Sequence, residues 1–201
     1  NNKINGQLLT FDLKKLPDKT SLKLSEIGAY EIKYIPLETN EQNPIKEIRK
    51  IIFGKDYFLT QYFTEIFMFK YDGSFINRIG HVGRGPNEFT TAHDVDINPQ
   101  NQSIYIADGW LQKFLVFNKN GDIIRVFKSP LKGPMNFTFS KDGILCYYGN
   151  HMGIIETSYL LIDTLGKIIK SYPNRYPWKR TAPNVAFMGE NLFYHFNDNL
   201  Y

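Results

Sequence analysis

At 201 residues, 42% hydrophobic and 15% aromatic, the chain is long enough to bury one substantial core and is not a disordered polymer. Its 24 basic against 20 acidic residues leave a net charge of +4, interspersed rather than clustered, so a nucleic-acid footprint is not compelled. No apolar run reaches the roughly 18 residues of a membrane-spanning helix, residues 1–10 lack the charged-then-apolar layout of a signal peptide, and the single cysteine, Cys146, has no disulfide partner within the chain.

Residues 1–29 are polar and poorly periodic and read as an N-terminal extension. Over 30–37, Ile32 and Tyr34 alternate with Glu31 and Lys33, a period of two that predicts a strand, with Pro36 marking an edge or strand end. A polar connector follows over 38–43. Then a turn signature occurs three times: FKYDG at 69–73, FNKNG at 117–121 and IDTLG at 162–166. Each copy lies between two short apolar runs, with glycine where a hairpin turn needs positive φ. A second landmark runs in phase with it: Tyr57-Phe58-Leu59, Ile104-Tyr105-Ile106, Leu145-Cys146-Tyr147 and Leu192-Phe193-Tyr194. Repeats of about 40 to 50 residues, each holding four short strands, predict an all-β protein of the β-propeller class with almost no helix.

Blade one is predicted over 48–79, with strands at 48–52, 57–61, 66–71 and 75–79. Blade two covers 92–127, with strands at 92–97, 103–107, 113–117 and 123–127, and blade three covers 135–172. Residues 183–201 read as an incomplete fourth blade, which makes about three and a half blades, where a ring needs at least about four. The sequence therefore reads as the front part of a longer chain, with 30–37 as an orphan closing strand, or as a partial propeller that self-associates through open blade edges.

Several side chains invite a chemical reading. Arg84 stands in a glycine-rich stretch, Gly80, Gly83 and Gly85, but a strand rather than a helix N-terminus follows, so the glycines read as an inter-blade crossover and Glu88 as an acceptor for backbone or Arg84. Asp94, Asp96 and Asp108 lie near strand ends, where carboxylates cap turns; a cation site would have to be assembled across blades. His81, His93, His151 and His195 lack the mutual spacing of a zinc site, and Cys146 reads as a buried structural thiol. The loop 171–180 interleaves rings and cations. Its Arg175, Tyr176, Trp178, Lys179 and Arg180, together with His151 in the long loop of blade three, Trp110 and Arg84, make the expected ligand-binding set. No catalytic residue, metal or cofactor is expected.

Residues 79–89 (IGHVGRGPNEF), followed by IYIAD at 104–108 and LVFNKNGDII at 115–124, resemble an NHL repeat: a glycine-rich loop ending in an acidic residue and Phe, a strand, an "IYVAD"-like strand and a "VFDxxG" turn. The resemblance is specific over 78–127 and weaker in the other blades. IKYIPLET at 32–39 and the later FKYDGSFINRIGHVGRGPNEF are similar to the N-terminal half of six-bladed NHL-like propellers that Gram-negative bacteria export, often as lipoproteins. The resemblance implies a six-bladed ring, a periplasmic or outer-membrane-associated location with any lipid anchor lost with the leader, and a non-catalytic binding or scaffold role toward a glycan, peptide or partner protein. The Asn-His-Arg that usually follows the Asp of the "VAD" strand is replaced here by Gly109-Trp110-Leu111 after Asp108, which removes a polar cluster. Two rival classes stand beside this reading: a propeller hydrolase or lyase with a carboxylate-bound metal in the central channel, and NHL-type RNA binding through the basic stretch 175–180.

Overall fold

The computed structural model describes residues 21, 23–41, 43–133, 135–148 and 156–174. The chain divides into two units, Asn1–Tyr34 and Ile35–Tyr201. In the first, the only regular element among the described residues is a 3-10 turn at Leu24–Ile27, closed by Gly28 in the left-handed region at φ 88°.

The described residues of the second unit are all β. Its first sheet is β1 (Lys50–Phe53), β2 (Tyr57–Tyr62), β3 (Glu65–Lys70) and β4 (Phe75–Arg78). The second is β5 (Asp94–Ile97), β6 (Ile104–Asp108), β7 (Lys113–Phe117) and β8 (Ile123–Lys128), and the third is β9 (Met135–Ser140), β10 (Gly143–Tyr148), β11 (Thr157–Ile162) and β12 (Ile168–Pro173). In each sheet the strands pair antiparallel in sequence order, an arrangement compatible with a propeller-like fold. Burial falls from the second and third strands outward. Residues 57–61 and 104–108 are buried without interruption, because both of their faces are covered. By contrast, β8 alternates half-buried Ile123, Arg125 and Phe127 with exposed Ile124, Val126 and Lys128, and β12 is exposed along its length.

Two cores hold the sheets together. Between sheets one and two, Leu59, Ile66 and Met68 meet Val95, Ile104, Ile106 and Leu115. Between sheets two and three, Tyr105, Phe114 and Val116 meet Phe137, Ile144, Cys146 and Leu160. Every one of these side chains is at least nine-tenths buried, so each contributes on the order of 1.5–3 kcal/mol of burial. A third cluster covers the other face of sheet one, where Phe58, Phe67 and Phe69 pack with Leu37, Ile45 and Phe75.

The three signature turns share one geometry. In each, the glycine amide donates to a carbonyl three residues back (Gly73 to Lys70, Gly121 to Asn118, Gly166 to Asp163), with φ of 92°, 85° and 88°. The ladders slip by one residue just before each turn, at Met68/Phe69, Val116/Phe117 and Leu161/Ile162. These are hairpins closed by a glycine bulge, and the positive φ is why the glycine recurs. The same glycines seat one sheet on what precedes it. A Cβ on Gly121 would meet Asn77 Nδ2 at 2.7 Å, and one on Gly166 would meet the Lys128 carbonyl at 2.6 Å, both at the end of the preceding sheet's outer strand. On Gly73 it would overlap the carbonyl oxygen of Pro36, so residues 35–37 stand where the end of an outer strand stands in the other two cases.

Residues 30–37 carry no strand here, and the blade that a closing strand would join lies outside the described residues. Alternation alone does not make a ladder. Glu38 donates its amide to Gly73, but Tyr30 and Tyr34 are almost fully exposed, and the division between the two units falls between Tyr34 and Ile35 rather than after residue 29. The expected fourth blade at 183–201 lies outside the described residues.

Candidate functional site

The residue just before the first strand occupies an equivalent place in sheets one and two. Arg49 donates its amide to the Gln61 carbonyl, and His93 donates its own to the Ala107 carbonyl, both at 2.9 Å. Each then lays its side chain on an aromatic ring presented by the turn between strands two and three of its own sheet. The Arg49 guanidinium carbon sits 3.9 Å from the centre of the Phe63 ring and 5.5 Å from that of Tyr62. The His93 ring lies edge-on to Trp110 at 5.3 Å. Phe63 is 52% exposed and Trp110 50%, so both rings keep about half their surface open.

Gln61, which is buried, joins the two pairs. Its Nε2 donates to the Ala92 carbonyl at 2.8 Å and lies 3.4 Å from the Phe63 carbonyl, so the turn carrying Phe63 and the residue preceding His93 are held on one nitrogen. Phe63 also has φ 49°, in the left-handed region that a bulky residue enters at a cost on the order of 1–2 kcal/mol. Glycine would occupy that turn more cheaply, and only the ring gives the present residue an advantage.

The surroundings fix the second pair. His93 Nδ1 accepts the Gly109 amide at 3.1 Å, which leaves the proton of the neutral ring on Nε2. Burial lowers the His93 pKa below its ordinary value, against the opposing pull of the Asp108 carboxylate. Asp108 itself is committed to the backbone. Its Oδ2 accepts the Thr90 amide and hydroxyl and the Thr91 amide, and its Oδ1 accepts the Leu111 amide. Burial pushes the Asp108 carboxyl up, but these bonds outweigh it and hold the pKa below the ordinary value.

Of the side chains expected from the sequence to bind, Trp110 belongs to this ledge. Arg84 is exposed in the connection from β4 to β5, with no ion pair among the described residues, and that connection is pinned to β7 by Lys113 Nζ on the Gly85 and Pro86 carbonyls. Glu88 Oε2 accepts the Gly85 amide at 2.8 Å, and a Cβ on Gly83 would overlap the same carboxylate. These glycines thus wrap an internal carboxylate. His151, Arg175, Tyr176, Trp178, Lys179 and Arg180 lie outside the described residues. Arg49, Phe63 and Gln61 escape a reading by motif. The usable signal was positional: one residue before the first strand of sheets one and two, and the first or second residue after the second strand.

The carboxylates near strand ends do structural work. Asp94 takes Lys50 Nζ on Oδ1 and the Phe137 amide on Oδ2. Asp96 has its pKa raised, chiefly by burial, and its Oδ1 accepts the Ile97 amide. Among the described residues no group of three or more His, Cys, Asp and Glu is placed to hold a metal ion. At the same end of the third sheet a cavity of about 260 Å³ is lined by Leu131, Lys132, Tyr148, Glu156 and Thr157. Its Tyr148 hydroxyl bonds Ser129 Oγ at 3.1 Å, and burial pushes its pKa up to about 12, so it stays protonated and serves as a hydrogen-bonding group.

Residues 8–201 match the family described as "Domain of unknown function (DUF4934)". No curated protein matches the sequence. Among solved structures, a candidate exported protein of Bacteroides fragilis superposes with a TM-score of 0.61 at 20% identity, over 72% of this chain and 42% of its own. A member of the DUF4221 family from Bacteroides vulgatus superposes with a TM-score of 0.50 at 17% identity, over 71% of this chain and 46% of its own. The chain spans less than half the length of either structure, and at these identities the likeness is one of fold.

Proposed function

The chain belongs to the DUF4934 family, and from that premise we propose that it is the front part of an NHL-like β-propeller that binds a ligand of the cell envelope without turning it over. The observation that carries this reading is the repetition in two successive sheets of one device: a cation or imidazole before the first strand, set against a half-exposed ring in the turn between strands two and three. A binding role also accounts for the engaged carboxylates. Asp94 and Asp108 spend their oxygens on Lys50 and backbone amides, which leaves neither poised as a general base.

An exported location is supported by the likeness to the Bacteroides fragilis protein, and no helix among the described residues is long and apolar enough to cross a membrane. The six-bladed ring and the NHL type rest on the repeat pattern of 78–127. The test is ligand-dependent stabilisation. A fractionated envelope extract of the source organism should raise the melting temperature of the wild-type chain and leave a Phe63→Ala, Trp110→Ala double variant unmoved. Equal shifts in both proteins, or none in either, would remove the ledge from the reading.

A further inference from the structure

We propose that the cavity at the end of the third sheet binds a small zwitterion, a free α-amino acid whose carboxylate meets Lys132 and whose ammonium meets Glu156. The site is separate from the ledge and does not depend on it. Its walls are held by backbone bonds. Gln112 Nε2 donates to the Ser129 carbonyl at 3.0 Å and to that of Pro130 at 3.2 Å, and the Gly133 amide donates to the Gly109 carbonyl at 3.0 Å. The segment carrying Leu131 and Lys132 is therefore fixed at both ends by the turn after β6. Glu156 accepts the Asn174 amide on its carbonyl at 2.7 Å, and Thr157 opens β11. Tyr148, buried at the end of β10, adds a hydroxyl tied to Ser129 Oγ at 3.1 Å.

The chemistry follows from size and charge together. A volume of about 260 Å³ is below the roughly 300–1,000 Å³ of pockets for drug-sized ligands and suits a molecule of amino-acid size. Lys132 and Glu156 are both exposed, and the ion pairs among the described residues, Arg49 with Glu47 and Lys50 with Asp94, use neither. The lining thus carries one free cation and one free anion, and because both line one cavity of this size, a molecule filling it meets both. A simple anion would be drawn to Lys132 but repelled by Glu156, a simple cation the reverse, and a neutral sugar would use neither charge. Leu131 gives an aliphatic side chain an apolar wall, and the Tyr148 and Thr157 hydroxyls serve the remaining hydrogen bonds.

The experiment is a calorimetric titration of the full chain with leucine, leucinamide, N-acetylleucine and glucose. Leucine should bind with a Kd on the order of 1 mM, and each singly charged analogue about fivefold more weakly, the loss of one exposed charge contact. Lys132→Gln should remove the preference for leucine over leucinamide, and Glu156→Gln the preference over N-acetylleucine. Both positions are exposed, so the melting temperature should hold in either variant. Phe63→Ala should leave leucine binding unchanged, which separates the cavity from the ledge. An analogue or glucose binding as tightly as leucine, a preference that survives either charge substitution, or no heat with leucine at about 20 mM would overturn the assignment and leave the ledge reading untouched.

Discussion

Asp94 Oδ2 accepts the amide of Phe137 at 2.8 Å, across from β5 to β9, while its Oδ1 holds Lys50 Nζ of β1 at 2.6 Å. One carboxylate therefore ties the first strands of all three described sheets. Asp94→Ala should cost about 1–3 kcal/mol in urea unfolding, mainly because the Phe137 amide is left buried without an acceptor. The ion pair adds little, since the Lys50 side chain is 39% exposed and can turn to water. Asp94→Asn keeps an acceptor oxygen and should lose less. A loss under about 0.5 kcal/mol for the alanine variant would show that water replaces the tie.

The bulge glycines should rank by what their missing Cβ would strike. All three alanine variants carry the left-handed strain, on the order of 1–2 kcal/mol. Gly73→Ala also drives a methyl into the Pro36 backbone, and Gly166→Ala drives one against the Lys128 backbone and the Phe127 ring, neither of which gives way easily. Gly121→Ala meets the side-chain amide of Asn77, which can rotate at the cost of its bond to the Asn120 carbonyl. Denaturation midpoints should therefore fall most for Gly73 and Gly166 and least for Gly121. The reverse order would mean that residues 35–37 do not hold the place of an outer-strand end.

These glycines also mark how far the sequence could be read. Turn residues and apolar runs fix local geometry, so the eight strands of sheets one and two lie within about two residues of their expected places, an ordinary boundary error. The ledge was legible only at Trp110. Arg49 and His93 share no chemistry, and their ring partners sit in turns of different length, two residues between Tyr62 and Glu65 and four between Asp108 and Lys113. Only the ladder register shows that the positions correspond. The pattern of 30–37 suits a strand, but a strand also needs a partner edge, which no local pattern encodes.

His93 should leave a pH signature in stability. Burial depresses its folded-state pKa below the ordinary 6.5. A depressed base stabilises the fold above its unfolded pKa, and that contribution is lost as pH falls through the folded value. Protonation would also turn Nδ1 from an acceptor into a donor facing the Gly109 amide. Unfolding free energy should thus decline from about pH 6.5 downward, before Asp108, depressed below its ordinary 3.8, begins to protonate. Asp96 is raised, so its protonation favours the fold as pH falls and partly masks the decline. His93→Gln should flatten the slope between about pH 5 and 6.5; an unchanged slope would assign the titration elsewhere.

Cys146 offers a probe of the second core. Its side chain is fully buried opposite Phe137 on β9 and Leu160 on β11, and burial pushes the thiol pKa up to about 12. The thiolate is the reactive form, so at about pH 8 the native chain should resist alkylation by iodoacetamide. Labelling should then report opening of the interface between sheets two and three, at a rate that tracks global unfolding as urea is added. Cys146→Ala removes only the sulfur atom and should cost about 1 kcal/mol, whereas Cys146→Ser buries a hydroxyl with no acceptor nearby and should cost up to about 3 kcal/mol. Fast alkylation in the absence of denaturant would mean that sheet three opens independently of the rest.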